Sequence, residues 1–170
     1  MLMQCCSKYI CNGCDYANQK REREGGLEHR CPYCRNPRPT SQEEIEKRKM
    51  NRIKKNDAVA ITEMGKQYDK EGDHGKSLEY HTKAAELGNV AAHFCLGCLY
   101  YNGVYHFEQA AIGGHPQARG ILALHEKIKC RRDRAAKHFI IAANLGCDLS
   151  MQEVKDLFVA GIVSKEEYRC

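Results

Sequence analysis

A five-residue pattern, Ala-Ala-x-x-Gly, recurs three times in this 170-residue chain. The copies are Ala84-Ala85-Glu86-Leu87-Gly88, Ala110-Ala111-Ile112-Gly113-Gly114 and Ala142-Ala143-Asn144-Leu145-Gly146. Each reads as the end of a helix. Paired alanines let a neighbouring helix approach closely, and the glycine supplies the left-handed conformation that stops a helix. Four residues past each glycine a second pattern begins, Ala-x3-Leu-Gly-x2-Tyr. It is clearest at Ala92, Leu96, Gly97 and Tyr100, and also present at Ala60, Met64, Gly65 and Tyr68. Weaker copies follow at Ala118, Leu122, Ala123 and Glu126, and at Ser150, Val154, Lys155 and Phe158.

The first residues of these four copies are spaced by 32, 26 and 32 positions. A period in this range marks a helical repeat. Positions 0, 4 and 8 of the second pattern stack along one helical face, so each unit has one helix carrying that face and another ending in Ala-Ala-x-x-Gly. Neither helix can bury its apolar stripe alone, but stacked pairs can. The expected fold is therefore all-α, a short α-solenoid of helix-turn-helix units. The spacing predicts units at about 58–89, 90–115 and 116–147, a capping helix at 148–161 and a tail at 162–170. Between Gly72 and Ala84 lie 12 steps, but between Gly103 and Ala110 only seven, so the second unit has lost more than a turn.

Together with Gly72-Asp73 ahead of Lys76-Ser77-Leu78-Glu79-Tyr80 and Lys83-Ala84-Ala85-Glu86, these offsets resemble the Sel-1-like repeat, a relative of the tetratricopeptide repeat, over roughly residues 58–161. The resemblance implies an adaptor or scaffold whose solenoid surface binds other proteins. It implies no chemistry.

The first third of the chain has a different character. Six of the 11 cysteines fall within the first 34 residues: Cys5, Cys6, Cys11, Cys14, Cys31 and Cys34. Cys11-x2-Cys14 and Cys31-x2-Cys34 have zinc-ligand spacing, since a two-residue gap forms a knuckle that aims both thiolates at one tetrahedral ion. Residues 1–38 contain too few large apolar side chains to fold without such a staple. All six cysteines are candidate ligands of structural Zn2+, because four thiolates leave no open position for a substrate.

The run Cys6 to Cys14 followed by Cys31-Pro32-Tyr33-Cys34 resembles the later part of a RING finger, a cross-braced two-zinc fold found in ubiquitin ligases. In that pattern Cys11 and Cys14 belong to one zinc, and Cys6, Cys31 and Cys34 to the other. The usual histidine is Lys8, and the opening Cys-x2-Cys pair is absent, which suggests a start upstream of Met1. Two arrangements stay open: Cys5, Cys6, Cys31 and Cys34 with Cys5 replacing the histidine, or one site of Cys11, Cys14, Cys31 and Cys34. The resemblance implies a ubiquitin-conjugating enzyme as a further partner, and a RING-type ligase or a fragment of one as the alternative function.

Between these parts, Asn36-Pro37-Arg38-Pro39-Thr40 is a breaker, and Ser41-Gln42-Glu43-Glu44 has capping-box form. A basic linker helix should therefore occupy most of residues 39–57. Residues 1–57 hold 13 Lys or Arg against 8 Asp or Glu, and the remaining 14 of each balance, so the formal charge of +5 sits in the first third. Without interleaved aromatic residues the basic helix reads as a solvated connector rather than a nucleic-acid contact. Neither a transmembrane stretch nor a secretory signal is visible, giving an expectation of an intracellular protein, cytoplasmic or nuclear, with free or metal-bound thiols. Cys95-x2-Cys98 brackets the Leu96-Gly97 packing pair and reads as core. No phosphate loop, His-Glu-x-x-His or Gly-x-Ser-x-Gly is present, and no catalytic residue is assigned.

Overall fold

The computed structural model describes residues 3, 5–6, 8–100 and 102–164. Among them are nine α-helices: α1 Asn12–Glu24, α2 Gln42–Lys54, α3 Ala58–Lys70, α4 His74–Glu86, α5 Val90–Leu99, α6 Val104–Ile112, α7 Pro116–Ile128, α8 Arg132–Asn144 and α9 Asp148–Val159. An antiparallel bridge joins Arg30 to Pro37. Of the tail expected at 162–170, residues 165–170 lie outside the described residues.

From α2 onward each helix packs chiefly on its neighbours in sequence, α2 on α3, α3 on α4 and so on to α9. That is the all-α solenoid. The repeating residues of the first helices form its seam: Ala60, Ala92 and Ala118 are fully buried, as are Leu96 and Ser150. At the following position a small residue admits an aromatic ring from the second helix. A Cβ on Gly65 would lie 2.7 Å from the His81 ring, and one on Gly97 would lie 2.6 Å from Phe107. Ala123 and Phe139 pack together in the third unit. The sequence separations of these pairs are 16, 10 and 16, so the six residues missing from the second unit lie between the two contact residues, in the helix ends that face the turn. α5 and α6 are accordingly 10 and 9 residues long, where α3, α4, α7 and α8 each have 13.

The Ala-Ala-x-x-Gly copies end α4, α6 and α8 as expected. Gly88, Gly114 and Gly146 all have φ near +80°, at 79°, 84° and 86°. The N–H of each glycine donates to the second alanine's carbonyl, and the next residue's N–H donates to the first's: Asn89 to Ala84 at 3.0 Å, His115 to Ala110 and Cys147 to Ala142 at 2.9 Å. That next residue also begins the following helix. Asn89 Oδ1 accepts from Ala92 N at 2.9 Å, and His115 Nδ1 from Ala118 N at 3.3 Å. One residue thus closes one helix and opens another.

The capping box at α2 also forms. Ser41 Oγ accepts from Glu44 N at 3.2 Å, while Glu44 reaches back to Thr40 N at 3.2 Å. Much of this helix's positive charge is used within the molecule. Arg48 binds Glu44 and the Pro37 carbonyl, Lys49 donates to Gln67 at 2.6 Å, and Arg52, itself buried, pairs with Asp57 at 3.1 Å. Ile53 is buried in the first repeat's core, so α2 is docked on the array rather than being a free connector.

The expectation of a polar outer face at the last helix is met only in part. Lys155 and Asp156 are exposed and Glu153 pairs with Lys127 at 2.7 Å, yet Leu149 and Val159 are more than four-fifths exposed. No described helix is long and apolar enough to cross a membrane.

Candidate metal centre

Sequence patterning gave no helix in the first 38 residues, because α1 has no apolar face. Cys11 caps it, and what it buries is carboxylate: Asp15 and Glu22 are both about 95% inaccessible. Asp15 is held by Arg38 and by Gln19 Nε2 at 2.6 Å. Glu22 accepts from Asn18 at 2.8 Å and pairs with His29 at 2.9 Å. The Arg38 guanidinium keeps the Asp15 carboxyl below its ordinary range. Burial opposes ionisation of Glu22, but hydrogen bonds from His29, Asn18 and the Arg30 backbone outweigh it and lower that carboxyl as well. The Asp15–Arg38 pair ties α1 to the segment after the second cysteine knuckle, and Glu22 ties it to His29 and Arg30 just before that knuckle. The signal for them was the spacing of acids at 15 and 22 along α1, which periodicity of apolar residues does not detect.

On this frame Cys5, Cys6, Cys31 and Cys34 come together, their sulfur atoms all within 4.8 Å of one another. Cys6 and Cys31 are 3.7 Å apart and Cys5 and Cys34 3.2 Å. Tetrahedral zinc with Zn–S bonds near 2.3 Å sets its sulfur atoms about 3.8 Å apart, so the cluster is the right size. Cys31 is 1% exposed and packs with Met3 and Ile10 in a small core separate from that of the repeats. Burial alone would raise the Cys31 thiol, but backbone N–H groups of Cys34 and Tyr33 bring it down to about 7. Cys5 and Cys6 are raised, first by burial and then by neighbouring thiols. Four thiols crowded in this way repel as thiolates, and a dication is what would relieve them.

Cys11 and Cys14 stand outside this group, fully exposed, with Cys14 N donating to Cys11 Sγ at 3.2 Å. Lys8 does not face the cluster as a ligand would. Its ammonium lies over the Tyr33 ring, 5.4 Å from the centroid, while the Tyr33 hydroxyl donates to the Tyr9 carbonyl at 2.8 Å. The Tyr9 hydroxyl in turn donates to Glu63 on α3 at 3.3 Å, linking the cysteine segment to the first repeat.

Of the other chemically capable residues, Cys95 is half-buried and Cys98 exposed, and burial raises both thiols. His93 and His106, which look scattered in sequence, meet with their Nδ1 atoms 3.1 Å apart because they share a helix pair.

No protein-family model matches this sequence, and no curated protein does either. Among solved structures the fold is that of Sel1-repeat proteins. A Sel1 repeat protein from Oxalobacter formigenes superposes with a TM-score of 0.63 at 17% identity, over 91% of this chain and 67% of that one. The protein c5321, a protective antigen of uropathogenic Escherichia coli strains displaying an SLR fold, gives 0.58 at 17% identity over 86% of this chain. This chain spans a third of c5321 (33%).

Proposed function

We propose that this chain is a protein-interaction scaffold in which a structural zinc ion, held by Cys5, Cys6, Cys31 and Cys34, fixes a small N-terminal module at the head of the helical array. The observation that carries this reading is the group of four thiols within 4.8 Å, backed by a polar frame and joined to α3 through Tyr9 and Glu63. With four thiolates the ion would supply a cross-link and no reactive position. Beyond the module, stacked helix pairs offer an extended surface of the kind repeat arrays use for binding proteins.

Native mass spectrometry of the purified chain should show one zinc ion. Serine at both Cys31 and Cys34 should release it while the far-ultraviolet helical signal persists, because the cysteine core is separate from the repeat cores. A metal-free chain, or collapse of the whole helical signal in the double variant, would contradict the reading.

A second reading, the ubiquitin ligase, is favoured by one observation. Cys11 and Cys14 lie between Cys6 and Cys31 in sequence yet outside their group in space, as alternate ligand pairs do in a cross-brace. The exposed pair supplies two thiols, short of the four a structural zinc takes. The 170-residue chain should therefore fail to assemble ubiquitin chains with a panel of conjugating enzymes. Robust assembly would replace the scaffold reading with the ligase.

A further inference from the structure

The repeat array carries equal numbers of acidic and basic residues, but the structure distributes them unevenly. Lys127, Lys129, Arg131, Arg132, Arg134 and Lys137 crowd the turn from α7 into α8. Beside this turn α6, α7 and the start of α8 enclose a cleft of about 450 Å³. From α6 the lining takes Val104 and Ile112 together with Glu108 and Gln109, a mixed side with two apolar residues, while Arg119, Lys129, Arg131 and Arg134 make the other side cationic.

Three buried polar atoms at this cleft lack a hydrogen-bond partner: Arg119 Nε, His138 Nδ1 and Glu126 Oε2. Arg119 donates one N–H to the Ala111 carbonyl at 2.8 Å, which fixes its guanidinium, but its Nε is buried with no acceptor. His138 Nδ1 is likewise buried without a hydrogen bond. Burying such groups unpaired is unfavourable. The nearby charges do not satisfy Arg119 or His138. Glu126 is engaged by Arg131 at 3.6 Å and Arg134 at 3.4 Å, and Glu108 lies exposed on α6.

We propose that this cleft binds an acidic, partly apolar peptide segment of a partner protein, with a carboxylate accepting from Arg119 and flanked by Lys129 and Arg134. The lining has four cations to two carboxylates, so it attracts an anion. Val104 and Ile112 on α6 suit an apolar side chain better than a sugar. The proposal rests on the scaffold reading and narrows it to one surface and one chemistry.

The probe is a random 12-residue peptide library displayed on phage, panned against the full zinc-loaded chain. Binders enriched in Asp and Glu beside Leu, Ile or Val are expected. A synthetic peptide made from the commonest binder should lose at least about tenfold in affinity when its carboxylates become amides, a change of about 1.4 kcal/mol. It should lose as much against a chain carrying Lys129→Glu and Arg134→Glu, two exposed positions whose replacement leaves the Ala seam intact. Circular dichroism matching the parent chain confirms that the double variant is folded. Binders without acidic residues, unaffected by the double variant, would overturn the cleft and leave the scaffold standing. Failure to enrich any peptide would overturn the cleft, with the zinc measurement still judging the module. Tighter binding of a duplex or single-stranded oligonucleotide than of the peptide would also overturn it.

Discussion

His81 shows how one residue can depart from a repeat without breaking it. It occupies the place of Phe107 and Phe139, over the small residue of the preceding helix, and is 1% exposed with Nδ1 unpartnered. Burial, helped by nearby Lys66, holds its imidazole below the ordinary 6.5, so it is neutral in the folded chain. Because the unfolded chain binds that proton more readily, this contribution to stability is present above pH 6.5 and declines as pH falls through that value. His81→Phe should raise the unfolding free energy by about 1 kcal/mol at neutral pH, by removing an unsatisfied buried polar group. It should also lessen the loss of stability on acidification. Urea unfolding at pH 7.5 and 5.5 checks both; an unchanged pH dependence would mean that His81 is not buried neutral. Cys130 departs differently, taking φ of +57° in the turn from α7 to α8, where the first unit has Gly72 at +81°. A side chain in that region costs roughly 1–2 kcal/mol, so Cys130→Gly should stabilise by up to about 1 kcal/mol. A lower melting temperature for this variant would refute the strain.

Among the elements, the helices of the repeats were legible from sequence to within a residue or two, because their signals are local. Alanine pairs, positive-φ glycines and caps such as Asp57, which accepts from Val59 and Ala60 N, mark the ends directly. Helix α1 was not legible, since buried ion pairs rather than apolar periodicity hold it. The choice among the six cysteines was equally closed to spacing. Cys11-x2-Cys14 and Cys31-x2-Cys34 look alike as strings, and only the path of the chain through α1 separates them. The short α5 and α6 pair is the weak element. Its packing depends on Gly97 under Phe107 and on Gly103, where a Cβ would meet the Gly97 carbonyl oxygen at 2.1 Å. Stability in an array is close to a sum of unit and interface contributions, so the unit with shorter helices contributes least. Amide exchange should be fastest in residues 102–112 among the three helix pairs. Equal protection across α3 to α8 would show that the array unfolds as one unit. Gly103→Ala should cost several kcal/mol, since backbone cannot move aside as a side chain can.

Across the whole molecule the helices are joined in two unlike ways, and this decides where the chain can grow. At Asn89, His115 and Cys147 a single residue both finishes one helix and starts the next, so there is no slack between units. Within a unit the turn and the helix ends beside it are independent of the seam, and it is from those helix ends that the second repeat dispensed with its missing residues while keeping its aromatic contact. Insertions should therefore be absorbed at the inner turns and rejected at the outer junctions. A Gly-Ser-Gly tripeptide placed after Gly72 should lower the melting temperature by a few degrees, corresponding to about 1 kcal/mol. The same tripeptide after Gly88 should uncouple α4 from α5 and replace a single unfolding transition with two. Lineages of such arrays would then vary in length at alternate turns only, and a loop grafted to carry a new recognition sequence belongs on that edge of the molecule.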